Sequence, residues 1–182
     1  MNRFIAANPS KCIGCRTCEI ACVLAHNGGR GVETLTPVSF RPRLKMTRTR
    51  DISMAVTCHQ CEDAPCANAC PTGAIVYRQN SVQVEQERCI GCKSCMMACP
   101  FGVMEVITLP AMRPFAGVTV AVGVKAEAHK CDLCVDRPGG PACVSVCPTK
   151  ALEVLDQRDV EQSLRWRRER TAYEAVGEAV SF

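Results

Sequence analysis

Two runs of cysteine in the middle of the sequence have the residue type and the spacing needed to hold metal. The run that begins at Cys89 reads C-x2-C-x2-C-x3-C-P, which is the spacing of bacterial [4Fe–4S] cluster ligands. Three thiolates at every third residue let a short loop enclose one face of a cluster. The fourth thiolate lies one helical turn further on and points away, so it is able to ligate a different cluster. The candidate ligands of the two runs are Cys58, Cys61, Cys66, Cys70, Cys89, Cys92, Cys95 and Cys99.

Each central run therefore needs the other, and together they resemble a complete two-cluster bacterial ferredoxin. Two further runs of four cysteines flank them. In the first of these, the fourth cysteine is followed by Val23 rather than by proline. The last contains a long loop, VDRPGGPA, between its second and third cysteines. The candidate ligands of the flanking runs are Cys12, Cys15, Cys18, Cys22, Cys131, Cys134, Cys143 and Cys147.

The composition restricts the class of protein. A length of 182 residues is typical of about one domain, and sixteen cysteines would indicate a disulfide scaffold in a short secreted chain. However, no long apolar segment precedes Cys12, and the best apolar run, at residues 115–124, is about half of the length needed to span a membrane. We therefore expect a cytoplasmic protein without a membrane span, whose clustered thiols stay reduced and bind metal.

The formal net charge of +4 changes sign when the metal is counted. An oxidised [4Fe–4S] core with its four thiolates is a dianion, so four such sites outweigh the excess of basic side chains. The basic composition is therefore weak support for nucleic-acid binding, and we expect no nucleic-acid partner.

A repeated element connects the cysteine runs to strands. In each copy, Cys-Pro is followed by a turn and then by apolar residues typical of a strand. The first run lacks this element and has only a leading strand, predicted at residues 3–7. The three copies are CPTGAIV at 70–76, CPFGVMEV at 99–106 and CPTKALEV at 147–154.

The two central runs are joined by a predicted hairpin, with strands at 74–77 and 82–85, and should share one module. The first run supplies a leading strand and the last run a trailing strand, so these two runs would complete a second module across the first. The predicted fold is α+β, with two intertwined bacterial-ferredoxin-like modules that each bind two [4Fe–4S] clusters. The expected divisions are residues 1–26 and 107–155 for the outer module, 52–106 for the inner module, 27–51 for a connecting segment and 156–182 for a C-terminal helical tail.

Two basic segments lie outside the cysteine runs, at residues 41–50 and 165–170. In an extended chain Arg41, Arg43 and Lys45 would share one face. Each segment is either solvated surface or a docking patch for an acidic partner, and the sequence leaves both interpretations open.

The remaining residues of interest are predicted to have structural roles. The tail should form a helix over 160–173, and Trp166 is expected to pack against the protein. The three histidines, His26, His59 and His129, have no ligand spacing among themselves and are expected to support the ligands or the core rather than to bind metal.

Six motifs carry a family resemblance over about residues 1–155: MNRF at the start, SKCIGCRTCE, CHQCEDAPCANACP, ERCIGCKSC, KCDLC and GPACVSVCPTKAL. Through them the chain resembles the four-cluster ferredoxin-type subunits of molybdenum or tungsten enzymes, in particular those associated with formate dehydrogenase and formate hydrogenlyase. The resemblance implies four [4Fe–4S] clusters, no organic cofactor and cross-paired ligand sets. The implied sets are Cys12, Cys15 and Cys18 with Cys147; Cys131, Cys134 and Cys143 with Cys22; Cys58, Cys61 and Cys66 with Cys99; and Cys89, Cys92 and Cys95 with Cys70.

The predicted function is electron transfer without catalysis, because sixteen ligands for four clusters leave no iron open to a substrate. Single electrons would pass between a molybdenum or tungsten oxidoreductase, of the formate dehydrogenase or aldehyde oxidoreductase type, and a second redox partner such as a hydrogenase or a flavoprotein. Copies of the chain would also be able to join into a longer wire. The alternative is a structural interaction module with several zinc ions, each held by four cysteines, although zinc sites usually join two separated C-x2-C knuckles.

Overall fold

The computed structural model describes residues 2–115 and 117–179 and has an α+β fold. Within those residues the chain forms eight short or medium strands, five α-helices and one 3-10 turn at Val32–Thr34. The strands are β1 (Phe4–Ala7), β2 (Lys45–Arg48), β3 (Ser53–Val56), β4 (Ile75–Arg78), β5 (Ser81–Val84), β6 (Glu105–Phe115), β7 (Val118–His129) and β8 (Leu152–Leu155). The helices are α1 (Thr17–Ala25), α2 (Pro65–Asn68), α3 (Ser94–Ala98), α4 (Ala142–Ser145) and α5 (Gln157–Ala179).

The described strands form four two-stranded antiparallel sheets, and one of these sheets joins distant parts of the chain. Strand β1 pairs with β8, with Phe4 opposite Leu155 and Ala7 opposite Leu152. The other pairs are local: β2 with β3, β4 with β5, and β6 with β7. Helix α1 packs on α4 and α2 packs on α3, so the helices of the first and last cysteine runs are neighbours, as are those of the two central runs.

The hairpin between the central runs is confirmed. Strands β4 and β5 are joined by Gln79 and Asn80, which have φ angles of 53° and 54°. Two successive residues with positive φ form a turn whose twist matches that of the flanking strands, and asparagine tolerates this conformation better than most residues. The turn therefore follows from local sequence.

The three strands predicted after Cys-Pro are also confirmed, and their turns share one backbone conformation. Strands β4, β6 and β8 each begin shortly after the Cys-Pro pair. In each turn the third residue after the cysteine is left-handed, with φ of 57° at Gly73, 62° at Gly102 and 50° at Lys150. Its backbone N–H donates to the carbonyl of the cysteine, at 3.2 Å for both Cys70 and Cys147.

The segment before the last run is a long hairpin of β6 and β7. The bulge between Ala111 and Met112 shifts the register of β6 against β7. Each strand of a two-stranded pair is an edge strand, so Pro110 and Pro114 are tolerated there. The hairpin exposes Phe115 and several valines on β7.

Helix α5 confirms the helix predicted in the tail and extends beyond it at both ends. Over residues 157–176 every side chain except that of Val160 is exposed. Trp166 is 59% exposed, and the Arg170 guanidinium lies 5.9 Å from its ring centroid. The prediction that Trp166 packs against the protein is wrong, because this length of the helix is not covered by any other element of the described chain. No helix in the described part of the chain is both long enough and apolar enough to cross a membrane.

The basic segment at 41–50 is not a uniform surface patch. Regular strand begins only at Lys45, and Arg43 and Lys45 are held by ion pairs with Asp132 and Glu105, at 2.5 Å and 2.9 Å. Their positive charges are therefore partly neutralised by carboxylates of the same chain.

The core is built from cysteines and small aliphatic residues rather than from aromatic rings. One buried cluster places Cys18, Cys22 and Cys131 beside Ile5 and Leu44. A second contains Cys95 with aliphatic residues such as Val82. Thiols therefore occupy positions that apolar side chains fill in an ordinary core.

Gly91 gives a test of how tightly the third cysteine run is packed. It has φ of +72°, and a Cβ added there would overlap the side chain of Ala126 on β7. Gly102 has a similar φ of +62° but open space around it. Both Gly→Ala variants should be strained by about 1 kcal/mol from the backbone, and Gly91→Ala should lose roughly a further 1–3 kcal/mol from overpacking. Thermal unfolding followed by circular dichroism should give a lower Tm for Gly91→Ala than for Gly102→Ala, and equal losses would contradict the contact.

Candidate iron–sulfur cluster sites

Three cavities in the structure are each lined by four cysteines. The three cavities are similar in size, which is consistent with one kind of occupant. In every case three cysteines come from one run and the fourth from another. The sets are Cys58, Cys61, Cys66 and Cys99; Cys89, Cys92, Cys95 and Cys70; and Cys12, Cys15, Cys18 and Cys147.

Of the remaining four cysteines, Cys22 and Cys143 lie in α1 and α4, which pack on each other. Cys22, Cys131 and Cys143 are buried in the same core cluster. Burial raises the pKa of the Cys143 thiol to about 12, and negative charge on Cys22 and Cys134 contributes to this rise. The His26 ring, which bonds to the Cys22 carbonyl, also bonds to Asp132 between Cys131 and Cys134, so these contacts join α1 to the loop of the last run.

Each cysteine loop is shaped by a left-handed residue two positions after the first cysteine. The φ angles are 68° at Gly14, 50° at Gln60, 72° at Gly91 and 60° at Leu133. Glycine adopts positive φ without strain, whereas the same role of Gln60 and Leu133 was not predicted from the sequence. Non-glycine residues adopt this conformation only when surrounding contacts hold them there, and those contacts are not visible in the sequence.

Backbone N–H groups point at several cysteine sulfurs. Ala74 N lies 3.3 Å from Cys70 Sγ, and Ala151 N lies 3.2 Å from Cys147 Sγ, which is the same bond in two copies of the Cys-Pro turn. Arg43 N lies 3.3 Å from Cys22 Sγ. Donors aimed at sulfur stabilise thiolates and, in iron–sulfur proteins, influence reduction potential.

Side-chain hydroxyls also stabilise the thiolate form of the two most exposed cysteines. The Thr17 hydroxyl lowers the pKa of Cys15, and the Ser94 hydroxyl lowers the pKa of Cys92. Deeper in the protein, burial raises the pKa of Cys66 to about 11. Buried thiolates therefore need a positively charged metal core to compensate for lost water.

The sulfur geometry fits a cluster better than a single ion. Four thiolates around one zinc ion lie about 3.8 Å apart, because each Zn–S bond is about 2.3 Å. Among the described residues, which include all sixteen cysteines, one group of three or more possible ligands has its ligand atoms within 4.8 Å of one another, namely His26, Asp132 and Cys134. No four of the sixteen cysteines are that close. The wider spacing of the four sulfurs that line each cavity leaves room for a cubane core.

The three histidines contact side chains and backbone near the cysteine runs. His26 Nδ1 is 2.7 Å from the Cys22 carbonyl oxygen, and its Nε2 is 3.0 Å from Asp132. Burial favours the neutral ring, but the hydrogen bonds to Asp132 and Cys22 raise the pKa of His26 to about 10. His59 stacks on the ring of Phe101 at 3.9 Å, and His129 is half-buried beside Glu127.

Three polar residues inside the cysteine loops were missed as contributors to the sites. Asp132 bonds to His26, Arg43 and the Cys134 backbone N–H. Gln60 and Lys130 are buried side chains that bond to each other at 3.1 Å. All three lie within the motifs CHQC and KCDLC, so a polar side chain beside closely spaced cysteines is the signal that would have found them.

Comparison with known proteins identifies the class of protein. Models of a 4Fe–4S binding domain match residues 82–105 and 9–22. Together with the cysteine-lined cavities, these matches define an iron–sulfur protein of the ferredoxin type that binds [4Fe–4S] clusters.

Close relatives then give the family. The chain is 54% identical to the electron transport protein HydN of Escherichia coli strain K12, over 94% of this chain and 98% of HydN. It is 41% identical to an iron–sulfur protein of Rhodospirillum rubrum, over 93% of this chain and 90% of that protein. It is also 50% identical to a segment of the "Putative oxidoreductase AegA" of E. coli K12, covering 94% of this chain and 25% of AegA.

The chain belongs to the family of ferredoxin-type electron transport proteins that includes HydN, which confirms the resemblance drawn from its motifs. It is an electron-transfer iron–sulfur protein with a non-catalytic role. Redox partners are therefore required, because an electron carrier acts between a donor and an acceptor.

The Asp132 contacts give a test of how the last cysteine run is held. Asp132→Asn removes a charge that pairs with both Arg43 and His26, and leaves two partly buried cations without this counterion. We expect a loss of about 2 kcal/mol, or roughly 4–8 °C in Tm. Asp136→Asn, an exposed change in the same loop, serves as the control and should change Tm by roughly 1 °C or less. Equal effects of the two variants would exclude a structural role for Asp132.

Proposed function

We propose that the chain relays single electrons through four [4Fe–4S] clusters, each held by three cysteines of one run and one cysteine of another. The observation that carries the proposal is the lining of three cavities by such three-plus-one sets. The proposed sets are Cys12, Cys15, Cys18 and Cys147; Cys22, Cys131, Cys134 and Cys143; Cys58, Cys61, Cys66 and Cys99; and Cys70, Cys89, Cys92 and Cys95.

When bound, each cluster supplies one-electron chemistry, and the protein supplies ligands, burial and hydrogen-bond donors. The loops fix the thiolates in position, so little reorganisation is needed when charge changes. Apolar residues such as Ile75, Val84 and Val106 line the cavity that holds Cys70 and limit the access of water. In this arrangement the protein does not have to bind or activate a substrate.

The proposed arrangement has two modules. Pairing of β1 with β8 and packing of α1 on α4 support an outer module from residues 1–26 and 107–155. The β4–β5 hairpin and the packing of α2 on α3 support an inner module from residues 52–106. Residues 27–51 connect the two, and α5 forms most of the tail at 156–182.

The proposed partners are a molybdenum or tungsten oxidoreductase, of the formate dehydrogenase or aldehyde oxidoreductase type, and a second redox protein such as a hydrogenase or a flavoprotein. A sequence similar to this chain makes up 25% of AegA, a protein named as an oxidoreductase, which supports a partner of that class. Self-association into a longer wire is a further proposal for the same protein.

Metal content tests the number of clusters. Protein purified without oxygen should contain four clusters of four irons per chain, with little zinc, and should be brown. Iron and acid-labile sulfide would be measured together by colorimetric assay and by mass spectrometry of the metals. Iron near half of that amount after full reconstitution, or zinc in place of iron, would contradict the proposal.

Substitution of Cys22 tests the crossing of ligands between runs. Cys22→Ser should damage the cluster of Cys131, Cys134 and Cys143, because Cys22 is buried in the same core cluster as Cys131 and Cys143, and α1 packs on α4. Cys18→Ser, four residues earlier on the same helix, serves as the matched variant and should damage the cluster that also uses Cys147. Electron paramagnetic resonance should then lose a different signal in each variant. Loss of the same signal in both would mean that each run holds its own cluster.

Charge reversal on α5 tests where a partner docks. Arg165, Arg167 and Arg168 are exposed and basic, and basic surfaces steer association with acidic partners. The triple change of these residues to Glu should slow electron transfer to the native partner and reduce its dependence on salt. The matched control reverses Arg41, Arg48 and Arg50, which leaves the ion pairs of Arg43 and Lys45 intact. Unchanged rates in the α5 variant would exclude this helix as the docking surface.

A further inference from the structure

Among the residues that the structure describes, Lys130 is a buried ammonium that has no carboxylate partner. The residue is 3% exposed and follows the end of β7, directly before Cys131. Its Nζ donates to Gln60 Oε1 at 3.1 Å, to the Cys131 carbonyl oxygen at 2.9 Å and to the Val82 carbonyl oxygen. All three acceptors are neutral. By contrast, the half-exposed Lys45 pairs with Glu105 at 2.9 Å.

Neutral carbonyl groups compensate only part of the cost of burying such a charge. A buried ammonium is stable when a negative charge lies near it, because transfer out of water penalises an isolated ion by several kcal/mol. The three bonds fix the position of Nζ but add no net negative charge. A counter-charge for Lys130 is therefore expected in one of the spaces that it faces.

One such space is the cavity lined by Cys58, Cys61, Cys66 and Cys99. Lys130 lines the same cavity. Burial raises the pKa of Cys66, and the Lys130 ammonium acts against this rise by favouring the thiolate. The site that these four thiolates would form around a cluster is an anion, so it supplies the missing charge.

Lys130 also lies beside the proposed set of Cys22, Cys131, Cys134 and Cys143, through its bond to the Cys131 carbonyl. Gln60, which is located between Cys58 and Cys61, donates from Nε2 to that same carbonyl at 2.8 Å. The buried pair of Gln60 and Lys130 therefore connects a cysteine loop of the proposed inner module to one of the outer module.

We propose that Lys130 is a shared counter-charge for these two clusters and that it raises their reduction potentials at the point where an electron passes between the modules. The inference rests on the proposed cluster sets. Reduction adds one negative charge to a site that is already anionic, and a fixed positive charge nearby stabilises the reduced form more than the oxidised form. Because the position is buried, water and salt screen this effect only weakly.

Loss of the charge should therefore make reduction less favourable. In Lys130→Met, the equilibrium constant for one-electron reduction of the cluster in the Cys58–Cys99 set should fall about tenfold, or ~59 mV. A shift in the same direction is expected at the cluster of the Cys131 set, and the other two potentials should stay unchanged. Lys130→Gln, which keeps an N–H donor without the charge, should give the same shift. A structural role through hydrogen bonding alone would be largely rescued by Gln.

The experiment is a redox titration of the holoprotein, followed by electron paramagnetic resonance, after iron content has been measured in each variant. Lys125→Met is the matched control, because it removes the same charge from an exposed position on β7. Full iron content with all potentials as in the wild type would overturn the role of Lys130. Iron content below four clusters in the wild-type protein would instead contradict the proposed function.

A second variant decides the matter if both Lys130 variants lose clusters. Gln60→Glu keeps Lys130 and places a carboxylate where Gln60 Oε1 now accepts its bond. This carboxylate should offset the ammonium and lower the same potentials in the same direction. Unchanged potentials in a fully loaded Gln60→Glu variant would show that charge at this position has no influence, and would overturn the proposal.

Discussion

The fourth cysteine of each run determines how the chain has to fold. In the proposed ligand sets it lies four residues beyond its own triplet and joins the ligands of another run, so a complete set of four thiols would exist only when two runs meet. The cavity of Cys12, Cys15 and Cys18 includes Cys147, which brings opposite ends of the sequence together. Strand β1 pairs with β8, which begins at Leu152 in the wall of this cavity. In the proposed arrangement, opening any run would therefore break two clusters and not one.

The same constraint explains a core with so few aromatic residues. Thiols such as Cys18, Cys131 and Cys143 occupy buried positions, where burial raises their pKa values and disfavours thiolates without metal. A metal core reverses this preference, so folding and cluster binding should be coupled. Backbone N–H donors, the hydroxyls of Thr17 and Ser94 and the buried ammonium of Lys130 then adjust the charge balance site by site. The polar residues within the cysteine loops would therefore influence the properties of each site together with the ligands.

Local sequence was sufficient to predict the elements next to cysteines. Cys-Pro turns, the β4–β5 hairpin and β1 all depend on nearby residues, and the structure has them where they were expected. Tertiary contacts were not predictable in the same way. The left-handed conformations of Gln60 and Leu133, the ion pairs of Arg43 and Lys45 and the burial of Lys130 depend on residues far away in sequence. The error over Trp166 has the same origin, because an aromatic residue in a helix packs only where a neighbour exists.

The central claim is that the four clusters are held by crossed sets of ligands, and anomalous X-ray scattering at the iron edge tests it most directly. Crystals of the holoprotein grown without oxygen should give four compact iron peaks. Each peak should lie among three cysteines of one run and the fourth cysteine of another, with Cys22 next to the iron bound by Cys131, Cys134 and Cys143. Fewer than four peaks, or four peaks that each lie among the cysteines of a single run, would contradict the account.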